Sequence, residues 1–215
     1  MIRYLLLSIC LLLSGCVHLD EYIQINRDGS AKITLTYSID QKGLPLLKDC
    51  EAVLQELNAN KAKIDLPRFF DEKRLKAHFA EFKGVDAISV RVTRDEGRVE
   101  TYVNLLIEDF RAALRQGLLP YTSLEKDGDN YVFAARYPYD MSKMKHSKAL
   151  LEVVKSIKFE LRVKTPTPIS QSTAHKQLVN LASWSFSPEG KSFDQAGGKY
   201  SVHFEAKNLK FLDKK

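Results

Sequence analysis

Tyr22-Ile23-Gln24-Ile25-Asn26, then Asp28-Gly29-Ser30, then Ala31-Lys32-Ile33-Thr34-Leu35-Thr36-Tyr37-Ser38-Ile39 is the stretch that sets the fold class. On both sides of the Asp-Gly pair, apolar and polar residues alternate with period two, the pattern of a strand with one buried face. Asp-Gly between two such runs is the signature of a tight hairpin. The same grammar recurs twice. Residues 87–93 and 99–105 flank Asp95-Glu96-Gly97, and residues 122–126 and 131–136 flank Asp127-Gly128-Asp129-Asn130. Residues 158–163, 178–186 and 199–206 read as further strands.

Helical spacing fills the intervals. Apolar residues recur along 46–57 at the period of an amphipathic helix, with Cys50 on its apolar stripe. Asp71 is placed to cap a second helix whose face carries Leu75, Phe79 and Phe82, and Gly84 closes it. Residues 108–116 form a short helix ended by Gly117, and a Lys-rich helix is expected over 142–156. Strands arriving as hairpins, with helices between them, predict an α+β fold: a mainly antiparallel sheet built from hairpins, packed on one face by several helices. The other sheet face is left for solvent or a second layer.

The 215 residues are 44% apolar and 28% charged, with a formal net charge of +6. That is ordinary globular composition, and it excludes a disordered chain, a collagen-like fibre and a multi-span membrane protein. The N-terminus departs from this average. Arg3 precedes an apolar run over residues 4–13, broken only by Ser8, and Leu13-Ser14-Gly15-Cys16 follows. Ten helical residues cover about 15 Å, half of a bilayer's hydrocarbon, so the run is too short to span. A charged start, a short apolar core and small residues are the secretory pattern.

Leu13-Ser14-Gly15-Cys16 resembles the lipobox of bacterial lipoproteins. That resemblance implies a diacylglyceryl group on the Cys16 sulfur, cleavage between Gly15 and Cys16, and acylation of the new amine. Residues 1–15 are then a removed signal peptide, and residues 16–215 a single α+β domain tethered to a membrane through Cys16. Val17 follows the cysteine, where an Asp tends to retain such proteins in the inner membrane, so the outer membrane is favoured if the source has one. Without an outer membrane, the outer face of the cell membrane is implied. Cys10 leaves with the signal and Cys16 is lipidated, so Cys50 has no disulfide partner.

The globular part is similar to the LppM-like lipoprotein domain. The likeness lies in a lipobox followed at once by a strand with Asp20, in Asp28-Gly29-Ser30-Ala31, and in a later strand, Phe159-Glu160-Leu161-Arg162-Val163. Pro166, Ile169, Ser172-Thr173-Ala174 and Trp184-Ser185-Phe186 continue it. Thr167 and Thr173 stand where that group is expected to carry glycine and asparagine. The resemblance implies an α+β domain at the outside of a membrane, with lipid or glycolipid binding as one idea of its role.

Chemistry is sparse. His18, His78, His146, His175 and His203 are not at metal-ligand spacing from one another or from a cysteine, so neither a metal nor a cofactor is expected. Asp127-Gly128-Asp129-Asn130 lacks the ligand alternation of a calcium loop and reads as a hairpin turn. The chain is read as non-enzymatic, with a binding or envelope-assembly role. Two features mark a contact surface. Lys143, Lys145 and Lys148 offer contacts to anionic lipid headgroups, and Tyr137-Pro138-Tyr139 offers an aromatic contact loop. Nucleic acid is not an expected partner. A lipid or glycolipid carrier predicts an apolar cavity lined by residues such as Phe69, Phe70, Phe110 and Phe133. A protein-interaction module predicts an exposed apolar patch, and an enzyme a polar cleft.

Overall fold

A computed structural model describes residues 17–41, 44, 51, 55, 65, 67–136, 157–186 and 199–209. Strand β1 (Val17–Ile25) turns through Asn26–Ser30 into β2 (Ala31–Asp40). The turn is tied by its own side chains: the Ser30 amide and hydroxyl both donate to Asp28 Oδ1, at 3.0 and 2.7 Å. β3 (Val85–Asp95) and β4 (Arg98–Ile107) form the second hairpin, β5 (Thr122–Asp127) and β6 (Asn130–Arg136) the third. All three hairpins stand where the Asp-Gly and Glu-Gly pairs put them, and Asp127–Asn130 is the turn of the third.

The other strands are β7 (Ile157–Lys164), β8 (Ile169–Ser172), β9 (Lys176–Gln177), β10 (Leu181–Phe186) and β11 (Lys199–Glu205). They assemble two sheets, one ordered β3-β4-β2-β1-β7-β10-β9 and one ordered β5-β6-β11-β8. β1 pairs with β7 in parallel, Val17 opposite Ile157; every other pairing is antiparallel.

Two α-helices have described bounds, α1 (Glu72–Phe79) and α2 (Phe110–Arg115), and a 3-10 turn spans Pro67–Phe70. Asp71 caps α1 by accepting the Arg74 amide at 3.0 Å, and Asp109 caps α2 in the same way through Ala112. The Gln116 cap and Gly117 at φ 87° end α2 as the sequence predicts. Of the helix expected at 46–57 only Glu51 and Gln55 are described, and both are helical. The helix expected at 142–156 lies outside the described residues. The expectation of several helices on the covered face is met in part among the described residues. Strand dominates the described chain, and a second sheet shares with α1, α2 and the 3-10 turn the work of covering that face.

The core lies between the layers. Inward residues of the large sheet, among them Ile23, Ile33, Val103, Leu161 and Trp184, meet Phe110, Phe133, Val202 and Phe204, all at most 1% exposed. Trp184 packs edge-on against Tyr200 of the small sheet at 5.9 Å. Thr173 sews the sheets together at this point. Its hydroxyl oxygen accepts the Trp184 indole N–H at 3.3 Å and the Ser201 amide at 3.0 Å.

One expected strand is broken. Residues 178–186 read as continuous strand, but the chain turns at Leu178–Asn180 and β10 begins only at Leu181. The Leu178 amide donates to the Leu181 carbonyl at 2.8 Å and closes a hairpin between β9 and β10. Asn180 is a turn-forming residue, and its carbonyl is held by the Thr165 amide at 2.9 Å. The apolar Leu178-Val179 pair is thereby left at a hairpin tip, 66% and 73% exposed.

Candidate functional site

Along β1 the inward parity belongs to Val17, Leu19, Glu21, Ile23 and Ile25, so a carboxyl group stands in the apolar row. Glu21 lies opposite Leu35 of β2 and Leu161 of β7, both buried. Diagonally across the β1–β2 pair stands Tyr37, 4% exposed, whose hydroxyl is hydrogen-bonded to Glu21. Burial disfavours the charged carboxylate, the tyrosine bond partly offsets this and neighbouring Asp20 adds repulsion. The result lifts Glu21 from an ordinary 4.5 to about 7. Tyr37 is pushed well above its usual value, first by burial and then by the Glu21 charge.

The 3-10 turn lays Arg68 and Phe69 over this spot. The Phe69 ring meets Tyr37 edge-on at 5.0 Å, and the Arg68 guanidinium lies 5.7 Å from the Phe69 ring centre. Arg68 Nη1 is 3.4 Å from His78 Nδ1 on α1, and His78 packs against Phe79 and Phe82. Burial, and then the Arg68 charge, lower the His78 pKa. Two buried polar atoms here have no hydrogen-bond partner: Arg68 Nε, and Oγ1 of Thr101, the β4 residue opposite Tyr37. Glu21, Tyr37, Thr101, Arg68 and His78 thus form a polar island in an apolar layer. It can exchange one proton at Glu21 near neutral pH and present a spare donor at Arg68.

On the opposite face of the same strands Asp20 and Arg162 form an ion pair. Asp20 accepts from Arg162 Nη2 at 2.8 and 2.9 Å, and the guanidinium lies 5.5 Å from the Tyr22 ring centre. His18 and Lys158 stand side by side, exposed, where β1 and β7 begin.

Gly15, Cys16, Tyr137, Tyr139, Lys143, Lys145, Lys148 and His146 lie outside the described residues. Their chain neighbours are placed: β1 starts at Val17, β6 ends at Arg136 and β7 starts at Ile157. Among the described residues no three His, Cys, Asp or Glu side chains gather as a metal site. Phe70, Phe79, Phe110, Tyr131 and Phe133 are core, at most 5% exposed. The Glu21 island was missed because Tyr22–Asn26 alone defines the alternation. Extending the parity back two residues puts Glu21 on the buried side.

No family model matches the chain, and no curated protein does. Among solved structures, the NMR structure of the folded domain of Mycobacterium tuberculosis LppM is similar over 89% of this chain and 91% of its own, at 12% identity and a TM-score of 0.48.

Proposed function

We propose that this chain is a bacterial envelope lipoprotein, cleaved between Gly15 and Cys16, acylated at Cys16, and serving a non-enzymatic binding or assembly role at the membrane surface. What carries the reading is the sequence: Arg3, the apolar run over residues 4–13 and Leu13-Ser14-Gly15-Cys16 stand directly before Val17 of β1. Val17, bonded to Cys16, is part of β1, so an acyl group on Cys16 holds the sandwich within a few ångströms of the membrane surface. Acyl chains, each buried CH₂ contributing about 0.8 kcal/mol, hold it there without a spanning helix.

Lys143, Lys145 and Lys148 are assigned a headgroup-facing role on their charge, each cation contributing about 1 kcal/mol close to an anionic surface. Trp184, Phe133, Phe204 and Val202 fill the space between the sheets, which favours binding at the surface over an acyl cavity between the layers. Glu21 and Tyr37 of the island are engaged with one another between apolar neighbours, which favours a binding role over catalysis.

The test is metabolic labelling with palmitate in a bacterial host. The parent chain incorporates label and loses residues 1–15, whereas Cys16→Ser accumulates as unlabelled precursor. Label persisting in Cys16→Ser overturns the proposal.

A further inference from the structure

We infer that the Leu178–Val179 hairpin tip is a contact site for an anionic lipid bilayer, a second membrane rather than the one that holds Cys16. The second half of that statement rests on the lipoprotein reading above. Among the described residues, Leu178 and Val179 are the most exposed large apolar side chains, at 66% and 73%. Their backbone is fixed on every side: the Leu178 amide donates to Leu181, the Ile169 amide to Val179 at 2.8 Å, and the Thr165 amide to Asn180. A rigid turn that keeps two branched apolar side chains in water has ordered them before any partner arrives, so little freedom is lost on docking.

Charge selects the partner. From Leu161 to Phe186 there is no Asp or Glu, while Lys164 and Lys176 lie in the same stretch. Register places the two lysines beside the tip. Lys164 is opposite Leu181, and Lys176 is opposite Ser183 on the neighbouring β9. A projecting apolar tip with cations set just behind it matches the layering of an anionic bilayer, apolar inside and negative at its surface. The edge strand behind the tip, β9, is only two residues long and offers little ladder for a partner strand.

Topology separates this tip from the anchor. β1 and β7 run in parallel from Val17 and Ile157 to Gln24 and Lys164, and the tip adjoins Lys164. The anchor end and the tip end are thus a strand length apart, roughly 25–30 Å at ~3.3 Å per residue.

The test uses the full acylated chain, inserted through its own lipid into phosphatidylcholine vesicles. A second, fluorescent vesicle population contains phosphatidylglycerol. The parent protein is expected to pull the anionic fluorescent vesicles into the pellet, and fluorescent vesicles of pure phosphatidylcholine at least several-fold less. Leu178→Ser/Val179→Ser and Lys164→Gln/Lys176→Gln each lower capture several-fold while Trp184 fluorescence stays unchanged. No capture by the parent, equal capture by the Leu178/Val179 variant, or capture only when a membrane protein is added to the second vesicles overturns the inference. Failure of the lipoprotein reading registers differently, as protein that never enters the first vesicles. The tip is then assayed by direct flotation with the phosphatidylglycerol vesicles.

Discussion

Glu21 is one side chain on the wrong parity, and the acid–base balance of the fold turns on it. In the unfolded chain its carboxyl titrates near 4.5, and in the sandwich near 7. The folded state therefore binds the proton more tightly, and the associated stability is complete below pH 4.5 and is lost as pH rises through 7. The shift corresponds to no more than about 3 kcal/mol, less whatever solvent reaches the carboxylate. Urea unfolding across this range should show a falling midpoint for the parent and a flat one for Glu21→Gln. Equal slopes in both would remove Glu21 as the cause. Thr101 offers a second test at this scale. It is fully buried with an unpartnered hydroxyl, and valine has the same shape without that polar atom. Thr101→Val should raise the unfolding free energy by about 1 kcal/mol, read from the urea midpoint at constant slope.

Elements differ in how far local sequence governs them. α1 has eight residues, too few to persist alone, and it buries only Leu75 and Phe79. Its Asp71 cap thus carries unusual weight. Asp71→Ala should cost about 1 kcal/mol and Asp71→Asn much less, because asparagine keeps an acceptor for the Arg74 amide. A comparison of thermal midpoints separates the two. The hairpins were legible because each is specified within its own span by alternation and a turn pair. The β1–β7 pairing was not, since it joins Asp20 to Glu160 and Tyr22 to Arg162 across most of the chain, and no local pattern encodes such a register. The break at Leu178–Asn180 was hidden for another reason. An apolar Leu-Val pair next to a strand has the composition of more strand, and it is the bonds of the Leu178, Thr165 and Ile169 amides that reveal it as a turn.

At the scale of the whole molecule, the second sheet is what sequence reading lacked. Its inner residues, Phe133, Val202 and Phe204, have the same alternation as those of the first sheet, and alternation does not say which sheet a strand joins. Trp184, the sole tryptophan, reports on the union. It is fully buried and clasped by Thr173 and Tyr200, so its emission should be blue-shifted and shielded from iodide. Both properties should disappear in one step with the far-ultraviolet circular dichroism on unfolding. Two separate steps would mean the layers come apart independently.

β1 is the fourth of seven strands in its sheet, held along its length by β2 on one flank and β7 on the other. Any pull on the N-terminal end of the sandwich enters through Val17 and runs along this strand. The load is shear, shared by both ladders at once, rather than a peeling force that opens one bond after another. A pull on the Val17 end of β1 should therefore meet more resistance than a pull on the edge strands β3 or β9.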